Sequence, residues 1–215
     1  MYVPPAFRED DLPTIHAEMQ KIQLATLVTL TENGLVATHL PLLLDSDAGE
    51  FGTLYGHLAR GNLQWRETMP SVEALAIFTA SDAYVTPSWY PSKLETGKVV
   101  PTWMYAAIHA YGAVKFIDDA EWLRDLVSRL TDKHEASFPQ PWKVTDAPGE
   151  YVEAQLKRII GVELPISRLE AKWKFDQRSL EADRLGVVTA LEASSTPGNL
   201  EAAGVMRRIE EKRKG

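Results

Sequence analysis

Three stretches bring together side chains that could do chemistry. In Gly56-His57-Leu58-Ala59-Arg60-Gly61-Asn62-Leu63-Gln64-Trp65, a strand-like run gives way to a helix start at Asn62, a residue suited to capping. Free backbone N–H groups there, joined by Arg60 and His57, would suit an anion such as a phosphate. The same residues also read as a surface arginine beside a helix start. In Thr38-His39-Leu40-Pro41, a polar pair interrupts the apolar run Leu35 to Leu44. Strand alternation places Thr38 and His39 on opposite faces, so only one of them looks into a given pocket. The third stretch, residues 82 to 112, holds six of the chain's thirteen Trp and Tyr residues: Tyr84, Trp89, Tyr90, Trp103, Tyr105 and Tyr111. Flat apolar rings with hydrogen-bonding tips suit a wall for a planar ligand, the centre of a subunit interface, or a large aromatic core.

Other chemistries lack their usual residues. The five histidines, His16, His39, His57, His109 and His134, show no paired spacing on one helix face and no His-Glu-x-x-His pattern, so no metal site is expected. A nucleophile elbow, a Walker loop and a Gly-x-Gly-x-x-Gly turn are all missing. Zero cysteines exclude disulfides and thiolate ligands or nucleophiles from this chain.

The elements that must position these residues follow from periodicity and turn signals. Asp10 or Asp11 caps a helix to about Ile22, with Leu12, Ile15 and Met19 as its apolar stripe. Leu24 to Thr31, Leu35 to Leu44 and Phe51 to Leu58 read as an antiparallel meander, its first hairpin turning at Asn33-Gly34. Val72 to Ala80, Ala83 to Thr86 and a broken segment from Val99 to Ile117 add strands. Five or six strands of uneven length favour a small barrel over a regular sandwich. Helices are expected from Asp118-Asp119 to about His134, burying Trp122, Leu126, Val127 and Leu130, and from Pro148 to Ile159. Val162 to Phe175 returns to strand. From Leu180 the chain is helical, divided at Thr196-Pro197-Gly198-Asn199.

Composition sets the wider bounds. With 215 residues, 45% hydrophobic and 25% charged, the chain reads as a globular protein with one good-sized core. Neither a secretory signal nor a membrane-length apolar run is visible, so a cytoplasmic location without membrane attachment is expected. A net charge of −7 disfavours a broad DNA-binding face, because duplex affinity comes largely from phosphate neutralisation. The basic stretch Met206 to Lys214 reads as a solvated helix end.

Taken in order, the Thr38 to Pro41 and Gly56 to Trp65 segments, Ala83-Tyr84-Val85-Thr86-Pro87-Ser88-Trp89-Tyr90, Val99-Val100-Pro101-Thr102-Trp103, Asp146-Ala147-Pro148 and Lys172 to Gln177 resemble the PaiB-like family, from Met1 to roughly Gly186. The resemblance implies an α+β fold, a mainly antiparallel split β-barrel of the FMN-binding, pyridoxamine-phosphate-oxidase-like kind, with flanking helices and a helical C-terminus. Residues 1–178 would form the barrel domain with inserted helices, and 179–215 a helical segment. The family is commonly described as homodimeric, with flavin at the subunit interface, and as negative transcriptional regulators of protease production and sporulation. On the matching positions, Arg60, His57 and Asn62 would hold the FMN phosphate, and Thr38 and His39 would line the isoalloxazine or ribityl chain. Tyr84, Ser88, Tyr90 and Trp103 would stack or make polar contacts, with Lys172 and Gln177 arriving from the other subunit. The chain departs from the family pattern at Gly61, Leu63, Met104 and Asp176.

The expected function is therefore an FMN-binding, homodimeric transcriptional regulator or redox sensor, with direct DNA binding weak or absent. A flavin-dependent oxidoreductase acting on a small molecule and a cofactor-free dimeric regulator are the alternatives.

Overall fold

The computed structural model describes residues 1–194 and 196–214. The first helix, α1 (Leu12–Lys21), is capped by Asp11, whose carboxylate accepts the Thr14 N–H at 3.0 Å. It buries Ile15 and Met19 as its stripe requires, while Leu12 is only half-buried. Strands β1 (Ala25–Thr31) and β2 (Gly34–Leu40) form the expected hairpin, closed at Thr31 opposite Gly34. Gly34 alone takes the positive φ, at 111°; Asn33 does not.

The run expected as one strand from Leu35 to Leu44 is two. Pro41 cannot donate to a ladder, and the chain leaves one sheet there for the other, where β3 (Leu43–Asp45) pairs with β4 (Thr53–Ala59). The crossing is tight. A Cβ on Gly56 of β4 would lie 2.8 Å from the Pro41 carbonyl oxygen and 2.7 Å from the Leu42 side chain, so only glycine lets the chain pass.

The helix expected to begin at Asn62 is a single turn, α2 (Gln64–Glu67). Next, β5 (Ala74–Val85) is one strand where two were read. Its inward positions change from Ala74, Ala76 and Phe78 to Ala83 and Val85, and that slip of phase breaks the period-two signal without breaking the strand. After α3 (Ser92–Thr96) come β6 (Thr102–Gly112) and the short β7 (Lys115–Ile117).

Helix α4 (Ala120–Glu135) is capped by Asp119, which accepts the Trp122 N–H at 2.8 Å. It buries Leu123, Leu126 and Leu130; Trp122 and Val127 are half-buried. Helix α5 (Gly149–Leu156) stops short of Ile159, which opens β8 (Ile159–Pro165). Gly161 lies within that strand. Finally β9 (Arg168–Lys174) leads to α6 (Glu181–Glu192) and α7 (Pro197–Lys214), divided where the Pro-Gly signal placed the break.

Among the described residues nine strands therefore form two antiparallel sheets, ordered β2-β1-β5-β6-β9 and β3-β4-β8-β7. Two of the strands not expected, β3 and β7, are three-residue pieces, too short for periodicity to register, while the run read from Val162 to Phe175 divides between β8 and β9. The chain divides into two compact units: Met1–Ile15 with Thr79–Ile108 and Glu170–Gly215, and His16–Phe78 with His109–Leu169. The C-terminal helices thus share a unit with Thr79–Ile108. Gly186 of α6 approaches Trp89 so closely that a Cβ would meet its carbonyl oxygen at 2.5 Å. None of the described helices is long and apolar enough to cross a membrane.

Candidate functional site

In the unit of His16–Phe78 and His109–Leu169, the polar turn that ends β4 is built around Arg60. Its guanidinium donates to both Asp118 carboxylate oxygens at 2.6 and 2.5 Å, to the Lys157 carbonyl at 2.7 Å and to the Ile159 carbonyl at 3.3 Å. The pair holds Asp118 below the usual carboxylate range, chiefly through the hydrogen bond from Arg60. It also raises Arg60 for the same reason. Asp118 gave no signal of this role, because Asp118-Asp119 reads as a helix cap. Only Asp119 caps α4, which frees its neighbour for Arg60.

Beside Arg60, the Asn62 amide donates to the Thr38 hydroxyl at 2.8 Å, and that hydroxyl donates to Gln64 Oε1 at 2.6 Å. The Asn62 Oδ1 accepts the Gln64 N–H at 3.0 Å. Gln64 is 2% exposed and also donates to the Leu27 carbonyl and the Thr29 hydroxyl. This buried amide clamps β1, β2 and the turn together, so that Thr38 and Asn62 are fixed. Sequence reasoning missed it, since a glutamine at a helix start carries no such signal.

The other two residues expected here point elsewhere. His39 is exposed and pairs through Nδ1 with the Thr26 hydroxyl at 2.9 Å, while Thr38 on the adjacent position joins the Asn62 network. Their opposite faces follow from the alternation of β2. His57 lies on the face of β4 that carries Tyr55, among apolar residues of α4 and α5, and burial pushes its imidazole below its ordinary value. Gly161, its cross-strand partner on β8, sits under the Trp122 ring.

In the unit of Met1–Ile15, Thr79–Ile108 and Glu170–Gly215, Tyr84 and Trp103 meet edge to face, ring centroids 5.7 Å apart. They are 48% and 56% exposed, unusual for rings of this size. Ser88, also exposed, accepts the Lys93 ammonium at 3.2 Å. Tyr90 is buried and donates to the Asp176 carboxylate at 2.6 Å; burial first, then that bond, raises its phenol well above the ordinary tyrosine range. Asp176 takes a left-handed φ of 56° to do so. Lys172, 9% exposed, donates to the Tyr105 hydroxyl at 2.7 Å. Gln177 folds back to accept the Phe175 N–H at 2.9 Å and to donate to the Trp173 carbonyl at 2.6 Å, closing the end of β9. Met104 is core.

Among the described residues, no three His, Asp or Glu side chains group closely enough to hold a metal ion.

Comparison with known proteins adds the family. A model described as "Putative FMN-binding domain" matches residues 1–168. An uncharacterized protein of Emericella nidulans is 32% identical, over 91% of this chain and 96% of its own length. The protease synthase and sporulation protein PAI 2 of Bacillus subtilis is 29% identical, over 96% of each chain. Among solved structures, the flavocytochrome Anf3 of Azotobacter vinelandii aligns with a TM-score of 0.57 at 11% identity, over 78% of this chain and 69% of that one. At that identity the likeness shows the fold: α+β, a split barrel with flanking helices.

Proposed function

The chain belongs to this family of FMN-binding domains, and from that premise we propose that it is a regulatory or redox-sensing flavoprotein that works as a homodimer. The observation that carries the reading is the exposed Tyr84–Trp103 pair. Rings that face solvent in one copy suit a surface covered by a second copy or by a planar ligand.

FMN is the family's cofactor, and the donor chemistry of the β4 turn fits a flavin phosphate. Four of the five Arg60 N–H groups are engaged, leaving one. Asn62 keeps one amide N–H beyond the one given to Thr38. Thr38 acts as a positioning group here, because its hydroxyl orients the Asn62 amide. Asp118 neutralises Arg60, so the phosphate would be held by hydrogen bonds more than by net charge.

In the proposed assembly, Tyr84, Ser88, Tyr90 and Trp103 would supply the ring and polar contacts, with Lys172 and Gln177 contributed across the subunit boundary. His39 and His57, on the faces described, would play at most a peripheral part. Bound FMN would supply one- and two-electron redox chemistry at its isoalloxazine ring. The chain's own part is to bind it, fix its phosphate and exclude water with aromatic side chains.

Similarity to the Bacillus sporulation protein over nearly all of both chains supports the regulatory half of the reading. The net charge of −7 argues that regulation does not run through tight direct contact with DNA. Light scattering of the purified protein, with and without FMN, tests the assembly. A particle of twice the monomer mass is expected, with Trp103→Glu shifting it to monomer and weakening FMN binding together. A wild-type monomer that binds FMN normally would overturn the homodimer.

A further inference from the structure

A cavity of about 280 Å³ lies over His57, walled by α4, the 142–147 segment, α5 and the start of β8. That is just below the usual range for ligand pockets, roughly 300–1,000 Å³, and suits a small ligand. Val127, Val144, Val152, Leu156 and Ile159 give it an apolar body. Trp142 and Tyr151 also line it, and their exposures of 45% and 59% place them at its mouth.

Its polar groups are few. The His57 imidazole and the Arg158 guanidinium form no hydrogen bond or ion pair with any described side chain, whereas the nearby Arg60 and Arg124 are taken up by Asp118 and Glu153. Desolvation keeps His57 uncharged at neutral pH, so it offers one N–H and one lone pair. The lining holds no carboxylate and no second cation. The cavity is therefore apolar and aromatic-rimmed, with a single positive charge at its edge.

We propose that this cavity binds a small aromatic monocarboxylate, its ring against Val127, Trp142, Tyr151 and Leu156 and its carboxylate toward Arg158, with His57 hydrogen-bonding the ring's polar substituent or the acid itself. One unpaired guanidinium matches one negative charge. A phosphate or a dicarboxylate would leave charge unmatched in apolar surroundings. Indole and phenol rims favour a flat ring over an aliphatic chain. The site lies wholly within one compact unit and does not rest on the flavin reading.

Isothermal titration of the full-length protein with benzoate tests this, with quenching of Trp fluorescence as a second readout. Saturable one-to-one binding with a Kd of about 1 mM or tighter is expected. The neutral analogue benzamide should bind about tenfold more weakly. Arg158→Gln, at an exposed position, should abolish that preference. Thr131→Trp, filling the cavity from α4 while circular dichroism reports the fold, should abolish binding. Loss of the fluorescence change in Trp142→Phe would place the bound ring at the mouth. Absence of saturable benzoate binding, equal affinity for benzamide, or an unchanged Kd in Arg158→Gln would each overturn the proposal.

Discussion

Gly161→Ala is a perturbation whose outcome follows from geometry. Gly161 of β8 pairs with His57 of β4, and the Trp122 ring of α4 rests where a side chain would be. A Cβ there would lie 2.2 Å from one ring carbon of Trp122 and 2.9 and 3.0 Å from two more. The ring has little room to yield. It contacts Tyr55 at 6.2 Å between centroids and packs against both small clusters that join α4 to the sheet and to α5. Forcing a methyl into a packed core costs about 1–3 kcal/mol. For a chain of this size each kcal/mol moves the Tm by about 2–4 °C, so a fall of about 2–12 °C is expected. Thermal unfolding followed by near-ultraviolet circular dichroism reads both the loss and the altered Trp environment. Gly161→Ala combined with Trp122→Leu should lose less than the two single changes added together, because the smaller side chain removes the clash. A Tm within 1 °C of wild type, or strict additivity in the double variant, would refute the idea that α4 is seated through this contact.

Three further outcomes follow. Burial lowers the His57 pKa in the fold, so below about pH 6.5 the unfolded chain takes up a proton that the folded chain resists. Stability should therefore fall as pH drops through that window, by at most about 1.4 kcal/mol per pH unit from this group. His57→Gln should flatten the slope, and identical slopes in urea titrations would contradict the burial. Arg184 of α6 and Glu210 of α7 are 7% and 8% exposed and joined at 2.5 and 3.0 Å; Glu210→Ala leaves the buried guanidinium only the Ser179 carbonyl and should cost about 3 kcal/mol or more by denaturant titration. Asp119→Ala removes the α4 cap and should cost about 1 kcal/mol in the same assay, with Asp119→Ser nearly neutral.

How much of this was legible beforehand depended on whether a feature is local. Caps at Asp10 or Asp11 and at Asp118-Asp119, the hairpin at Asn33-Gly34 and the break before α7 are set by neighbouring residues and legible in the sequence, and the structure gives the two caps to Asp11 and Asp119. The split of Leu35 to Leu44 depends on Gly56, a dozen or more residues away, so only the proline hinted at it. Of the residues singled out for the site, Thr38 and Asn62 meet through a hydrogen bond. Gln64, Asp118, Tyr105 and Asp176 could not be read, because each acts through a partner far along the chain. His57 had the residue type for an anion site, but strand alternation turns it toward α4 and α5.

The central claim is that the chain binds FMN through the Arg60 turn. The measurement that tests it most directly is the visible absorbance of the purified protein titrated with FMN, repeated with Arg60→Ala. Saturable binding in wild type that weakens by about tenfold or more in the variant is predicted, the loss expected for charge-assisted hydrogen bonds. A wild-type protein whose spectrum shows no bound flavin at any FMN concentration, or a variant that binds as tightly as wild type, would contradict it.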